Sequence, residues 1–311
     1  MFPFQEVMAL DVTIKIAIVA ILIGATLYIH FRGKVRYKFF RQLFDHSTFM
    51  APVNALMYAF SSVPKTPFLP VNSIPGLDVI RANWETIKEE ALALERSKLI
   101  KGSDRYNDIG FNSFFRRGWK RFYLKWYNNF HPSAVEQCPK TIEMLKAMPG
   151  IKAAMFVVLP AGSHLPVHRD PYAGSLRYHL GLITPNSEQC NIVVDGEKYY
   201  WRDGQDVLFD ETYIHHAENN TDKDRLIFFC DVERPMKSKI GVWLNKFFSW
   251  LILSSAESPN LPTDRTGGLN RVFGYVYQIR LVGKRLKAYN KTLYYISKYA
   301  LFGLIIYLVF F

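Results

Sequence analysis

Residues 149–235 consist of short apolar runs separated by turn-forming residues. The runs are IKAAMFVVL, LRYHLGLIT, CNIVV, KYYW, DVLFD and RLIFFCDV, and intervening segments such as PAGSH and VDGEK are rich in Gly, Pro and Asp. Short apolar runs at intervals of about 8–12 residues are typical of antiparallel sandwiches and barrels. Helix-forming segments precede these runs and do not alternate with them, so a doubly wound parallel sheet is not expected. The sequence therefore predicts a mainly β core.

An apolar segment near the N-terminus, VTIKIAIVAILIGATLYIHF at 12–31, is long enough to cross a bilayer. A cleaved signal peptide is the alternative, but such a peptide carries its positive charge before the apolar run. Here 1–11 contain no Lys or Arg. The basic residues come afterwards and are Arg32, Lys34, Arg36, Lys38 and Arg41. We therefore predict an uncleaved transmembrane anchor over 1–31, with the remainder of the chain in the cytoplasm by the positive-inside rule.

The C-terminal part of the chain is basic and ends in an apolar stretch. No acidic residue follows Asp264, lysines, arginines and tyrosines continue to residue 298, and 299–311 carry no charge. Basic charge with tyrosine is typical of an amphipathic helix on an anionic membrane surface, which we predict within 236–298 after a connecting segment. A nucleic-acid-binding arm is the rival interpretation, and the adjacent apolar tail argues against it. Because 299–311 are short for a span, they either cross the membrane or lie in its interface.

Between the anchor and the β core, 32–148 are predicted to form a membrane-proximal and helical region. Within it, 111–130 interleave basic and aromatic residues, and we expect this basic-aromatic patch to meet a lipid head group and the membrane. A solvated basic face is the alternative. The candidate contacts are Arg116, Arg117, Lys120, Arg121 and Lys125, with Trp119, Phe122 and Trp126.

His168, Asp170 and His215 form a pattern that suits a single metal ion. Residues two apart on a strand point the same way, so His168 and Asp170 can bind one ion together, and His215 from a later strand can complete the set. Two histidines and one carboxylate with other positions open are typical of non-haem Fe(II) oxygenases. His216 competes with its neighbour for the third position. A metal-dependent hydrolase could use the same ligands.

Arg225 begins the apolar run RLIFFCDV, ten residues after His215. A buried guanidinium needs a partner, and its planar shape suits a bidentate contact with a carboxylate. 2-Oxoglutarate chelates iron through its 1-carboxylate and 2-keto oxygens, which leaves its second carboxylate for such a contact. We therefore predict that Arg225 binds 2-oxoglutarate, with a structural salt bridge as the alternative.

The segments GSHLPVHRDP, LRYHLGLITP, WRDGQDVLFDETYIHHAENNT and DRLIFFCDVERP resemble the aspartyl/asparaginyl β-hydroxylase family of iron(II)/2-oxoglutarate dioxygenases. The resemblance implies a jelly-roll or cupin-like double-stranded β-helix at 149–235. It also implies Fe(II) as the metal, 2-oxoglutarate and O2 as cosubstrates and ascorbate as the reductant. The family's histidine ligands align with His168 and His215, which favours His215 over His216. The family's R-x-H-L-G-L strand aligns with Arg177 and His179.

That alignment implies that Arg177 and His179 contact 2-oxoglutarate, together with Arg225. The sequence departs from the family at two positions. Peptidyl members from animals have glycine at the position of Asp170, and a serine that helps hold the cosubstrate in those members is replaced by Val157.

Outside the core, the similarity extends to bacterial members of the family that hydroxylate lipid A at the inner membrane. It is carried by VRYKFFRQLFDHSTFMAPVNALMY, GFNSFFRRGWKRFYLKWY and NRVFGYVYQIRLVGKRLKAYNK. It implies hydroxylation at C2 of a secondary fatty acyl chain of lipid A at the cytoplasmic face. Alternatives are a hydroxylase of another acyl lipid such as an ornithine lipid, a peptidyl hydroxylase, and a non-catalytic lipid-binding protein. The sequence does not indicate an oligomeric state.

Overall fold

The computed structural model describes residues 4–103, 108, 110–127, 129–253 and 256–310. The described helices are α1 (Phe4–Phe31), α2 (Phe39–Leu43), α3 (His46–Phe49), α4 (Ala51–Phe60), α5 (Leu77–Ala82), α6 (Trp84–Arg96), α7 (Asn112–Phe115), α8 (Pro132–Gln137), α9 (Pro139–Lys146), α10 (Lys239–Leu253), α11 (Gly268–Tyr289) and α12 (Lys291–Phe310). The described strands are β1 (Phe68–Leu69), β2 (Lys120–Trp126), β3 (Asn129–Phe130), β4 (Ile151–Leu159), β5 (His164–His168), β6 (Ser175–Ile183), β7 (Cys190–Val194), β8 (Glu197–Tyr200), β9 (Asp206–Phe209), β10 (His215–Asn219) and β11 (Arg225–Glu233).

The strands form two antiparallel sheets. The large sheet has the order β1-β9-β6-β11-β4-β2-β3, and the small sheet has the order β5-β10-β7-β8. The last eight strands pair as nested hairpins, β4 with β11, β5 with β10, β6 with β9 and β7 with β8. This nesting, split between two facing sheets, is the topology of a double-stranded β-helix. The predicted fold is therefore confirmed.

The large sheet is buried on both faces, which explains why its strands read as nearly continuous apolar runs. Along β4, successive side chains alternate between two layers. Met155 and Val157 face the space between the sheets, together with Phe229 of β11. Phe156 faces the other way and packs with Phe228 against helices α5, α6, α8 and α9. Because of this alternation, the space between the sheets has a mainly apolar lining, and polar side chains that face it are exceptions.

The large sheet begins well before residue 149, in contrast to the predicted boundary of the core. Strands β1, β2 and β3 all precede that boundary, and β2 pairs along β4. Within β2, Phe122 is fully buried and the ammonium of Lys125 donates to the carbonyl oxygen of Ile151 at 2.6 Å. Much of the predicted basic-aromatic patch is therefore core.

Helix α1 contains Val12–Phe31, which is long and apolar enough to cross a membrane and is almost entirely exposed. Its last turns contact the fold, where Ala25 and Ile29 pack in one cluster with residues of α4 and α10. The guanidinium of Arg32, directly after the helix, pairs with the buried carboxylate of Asp210 at 3.3 Å. Residues 299–310 of the predicted apolar tail belong to α12, and residue 311 lies outside the described residues.

Candidate active site

The two predicted histidine ligands face each other across paired strands. His168 ends β5 and His215 begins β10, where the two are cross-strand partners with ring centroids 4.2 Å apart. Asp170 follows two residues after His168, and its Oδ1 is 3.6 Å from Nε2 of His168. One ligand atom from each of the three residues lies within 4.8 Å of the other two. The three predicted ligands therefore come together at a spacing that suits one ion.

Hydrogen bonds and charges prepare these side chains to bind a metal. Nδ1 of His168 lies 2.6 Å from the carbonyl oxygen of Pro166, and Nδ1 of His215 lies 2.9 Å from that of Tyr213. An N–H donated there leaves each Nε2 as the free ligand atom. Burial lowers the pKa of His168 and brings that of His215 to about 3, so both rings are neutral. Burial opposes ionisation of Asp170, but the Arg177 guanidinium holds its pKa below the usual range.

His216 lies on the opposite side of β10. Its ring is partly exposed, and Nε2 is 3.7 Å from Oε1 of Glu218. The alternation of a strand thus directs one histidine of the pair inwards and the other outwards. His215, as predicted, is the one that joins His168 and Asp170.

Arg225 is a buried cation without a carboxylate partner among the described residues. Its side chain is 2% exposed, it lines the same cavity as His168 and His215, and its guanidinium lies 4.1 Å from the ring centroid of Trp201. Burial lowers its pKa to about 10. A structural salt bridge, the alternative interpretation of this arginine, is not found in the described part of the chain.

Three side chains around this cavity have unsatisfied polar atoms. The unsatisfied atoms are Nε of Arg225, both ring nitrogens of His179 and Nε1 of Trp201, and all three residues are buried. Buried polar groups normally have hydrogen-bond partners, so a cluster of unpaired groups around one cavity fits a polar, anionic ligand. Burial and the nearby Arg225 charge lower the pKa of His179, which keeps it neutral. The residues present therefore fit a carboxylate-bearing cosubstrate beside a metal.

Arg177 has a different environment from Arg225. It forms ion pairs with Asp170, Glu211 and Asp231, the last at 2.9 Å. Its guanidinium thus pairs with carboxylates from three separate segments. The pair with Asp170 keeps that carboxylate in position. The predicted contact between Arg177 and 2-oxoglutarate stays a prediction.

Comparison with known proteins shows the family of this chain. A sequence profile described as Aspartyl/Asparaginyl beta-hydroxylase matches residues 81–235. The "Ornithine lipid ester-linked acyl 2-hydroxylase" of Rhizobium tropici is 31% identical over 210 residues, which cover 67% of this chain and 73% of that protein. The chain belongs to the aspartyl/asparaginyl β-hydroxylase family.

Other relatives in the hydroxylase family are matched over smaller parts of their length. The human "Aspartyl/asparaginyl beta-hydroxylase" is 28% identical over 161 residues, which cover 50% of this chain and 21% of the human protein. Among solved structures, a prolyl-4-hydroxylase from Pseudomonas putida aligns at 16% identity with a TM-score of 0.34, covering 59% of this chain and 99% of that one.

The basic-aromatic patch of this hydroxylase-family chain divides into exposed basic residues up to Lys120 and buried residues in the rest of β2. Arg116, Arg117 and Lys120 are exposed, and they follow Phe114, whose ring centroid is 4.9 Å from that of His168. Arg121 is instead buried, and its Nε donates to Asp108 at 3.1 Å. The prediction that Arg121 meets a lipid head group is therefore wrong, because its charge is already paired inside the fold.

Sequence reasoning missed three residues of the site: Trp201, Glu211 and Asp231. Asp231 had a usable signal, because an acidic residue inside an apolar run such as RLIFFCDV needs a buried cation. Trp201 and Glu211 lie in turn segments and acquire their role only through contacts with distant strands.

Proposed function

We propose that this chain is a membrane-anchored, Fe(II)- and 2-oxoglutarate-dependent oxygenase that hydroxylates C2 of a fatty acyl chain in a membrane lipid. The observation that carries the proposal is that His168 and His215, which form one ligand set with Asp170, line the same cavity as the unpaired Arg225. Fe(II) with 2-oxoglutarate and O2 supplies the oxidising power that an unactivated C–H bond requires, and the cosubstrate is converted to succinate and CO2.

The protein's own side chains bind and orient the reactants. Nε2 of each histidine and the carboxylate of Asp170 hold the metal, and Arg177 keeps that carboxylate ionised and oriented. Arg225 receives the second carboxylate of 2-oxoglutarate, with His179 as a neutral hydrogen-bonding neighbour. A metal-dependent hydrolase has no use for a buried, unpaired cation at this position, which favours the oxygenase over the hydrolase.

An acyl lipid as substrate is supported by the surroundings of the cavity. Phe111, Phe114 and Trp119 line it with aromatic surface next to His168. The apolar helix at Val12–Phe31 suits a membrane-bound enzyme, and the R. tropici relative is named for an ester-linked acyl chain. These features favour an acyl chain over a peptide, for which the peptidyl relatives are named.

We propose lipid A as the lipid, hydroxylated on a secondary acyl chain at the cytoplasmic face of a bacterial inner membrane. Its phosphorylated sugars complement the exposed charges of Arg116, Arg117 and Lys120 near the cavity. Ornithine lipid is the second candidate, favoured by the R. tropici relative, and it lacks phosphate groups for these residues to bind.

The test is succinate release by the purified full chain with Fe(II), 2-oxoglutarate, O2 and ascorbate, which keeps iron reduced. We expect succinate above background, stimulated by lipid A in mixed micelles and lost in His168→Ala and Asp170→Ala. Absence of succinate above background would contradict the oxygenase proposal. Stimulation by ornithine lipid alone would transfer the assignment to the second candidate.

The phosphate contact has its own test. The double charge reversal Arg116→Glu with Arg117→Glu should raise KM for lipid A and leave lipid-independent succinate release unchanged. Lys223→Glu, on an exposed turn remote in sequence from the patch, is the matched control. An unchanged KM in the double variant would contradict head-group recognition by these arginines.

A further inference from the structure

Helix α10 carries an exposed apolar stripe. Ile240, Trp243, Phe247 and Leu251 are 65%, 63%, 41% and 52% exposed. Their spacing of three and four residues places them on one side of the helix, and the rings of Trp243 and Phe247 stack with centroids 5.7 Å apart. We call these four residues the α10 aromatic face. A contiguous apolar surface of this kind on a folded chain marks an interaction site.

The opposite side of α10 is fixed to the fold. The buried amide of Asn245 accepts a hydrogen bond from the Tyr172 hydroxyl at 2.6 Å and donates to the carbonyl oxygen of Gly174 at 2.9 Å. Leu244 and Phe248 pack into the cluster that also contains Tyr58 of α4. The helix therefore cannot rotate to bury the α10 aromatic face without breaking these contacts.

A lipid bilayer is the occupant that the surroundings favour. Ile29, in the last turn of the candidate span, belongs to the same packed cluster as Leu244 and Phe248, so α10 lies beside the end of that span. The sequence between Glu233 and Glu257 contains no acidic residue. The exposed charges in that stretch are the lysines Lys237, Lys239 and Lys246.

We propose that α10 is a membrane-surface helix whose aromatic face inserts into the head-group region of an anionic bilayer. Tryptophan prefers this region, and lysines next to an apolar helix face are attracted to anionic lipids. Through Asn245, the helix also contacts the segment that follows Asp170. Insertion of α10 would thus hold this segment, and with it the candidate metal ligand Asp170, at a fixed distance from the membrane. The proposal concerns membrane contact and is independent of which reaction the cavity performs.

The test measures how deeply single spin labels enter the membrane. Trp243→Cys, Phe247→Cys and Leu251→Cys variants of the full chain are labelled and reconstituted into vesicles of phosphatidylethanolamine and phosphatidylglycerol. The native cysteines are buried and do not compete for label. Collision of each label with O2, which concentrates in lipid, is compared with collision with a water-soluble nickel chelate.

We expect all three labels to collide preferentially with O2, whereas a label at Lys223→Cys, on an exposed turn, collides preferentially with the nickel chelate. Labels at the three α10 positions that behave like the Lys223 label would overturn the proposal. Labels shielded from both reagents would also overturn it, because a second protein chain would then cover the face. In phosphatidylcholine vesicles we expect a shallower position, and an unchanged depth there would contradict the role of the lysines.

Discussion

Replacing Arg225 by methionine should weaken 2-oxoglutarate binding and yet stabilise the ligand-free chain. Burial lowers the arginine pKa from its ordinary value to about 10, which corresponds to a cost of about 3 kcal/mol for keeping the charge in the fold. Both pKa values lie above 7, so the whole cost is present at neutral pH. Stacking on Trp201 offsets roughly 1–2 kcal/mol of it. We therefore expect the free energy of unfolding to rise by about 1–2 kcal/mol in Arg225→Met.

The effect on the ligand has the opposite sign. A bidentate, charge-assisted contact contributes on the order of 3–5 kcal/mol, so its loss should raise KM for 2-oxoglutarate by roughly 10²–10³-fold. Arg225→Lys keeps the charge without the planar pair of donors and should show a smaller increase. The measurements are KM from succinate release and the thermal unfolding midpoint in detergent without ligands. A lower midpoint with unchanged KM in Arg225→Met would refute the reasoning and make this arginine structural.

Three further predictions concern the metal, the anchor and acid stability. His215→Ala should lose bound iron and His216→Ala should retain it, as measured by metal analysis, and the reverse result would exchange their roles. Arg32→Ala should lower the free energy of unfolding by about 2–3 kcal/mol because its carboxylate partner is fully buried. Lys34→Ala removes an exposed ion pair and should change the free energy of unfolding by less than about 0.5 kcal/mol. Equal effects of the two substitutions would contradict this account. Burial lowers the pKa of His131 to about 4, below its unfolded value of 6.5. Stability should therefore fall as the pH drops from about 6.5 to 4, and thermal unfolding of His131→Phe should show a weaker fall.

The β core and the pairing of His168 with Asp170 in the candidate metal centre were predictable because both depend on short-range patterns, whereas the choice of His215 over His216 rested on the family resemblance. Turn residues between apolar runs mark the strands, and the period of two along a strand puts His168 and Asp170 on one side. The same period separates His215 from His216 once one of them is known to face inwards. Local sequence therefore carries much of the geometry of the candidate metal centre.

The environment of the basic residues was not predictable, because it depends on contacts between distant segments. Arg121 reads as surface charge in sequence, but β2 is covered on both faces and Asp108 supplies a partner. Arg177 collects carboxylates from three separate segments, one of them 54 residues away. A charged residue in an apolar strand signals burial, but not which partner it meets.

The sequence also gave no indication of the α10 aromatic face. Residues 235–264 read as a partly helical connection to the basic C-terminal tail. Only the packing of Asn245 on Tyr172 and Gly174 shows which side is turned outwards.

Mass spectrometry of membrane lipids tests the central claim most directly. Lipids are compared between bacterial cells that produce the chain and cells that produce His168→Ala, both grown under isotopically labelled O2. We predict that the intact chain adds one labelled oxygen atom to a secondary acyl chain of lipid A, located at C2 by fragmentation, and that His168→Ala adds none. Identical profiles for lipid A and all other acyl lipids in the two strains would contradict the account.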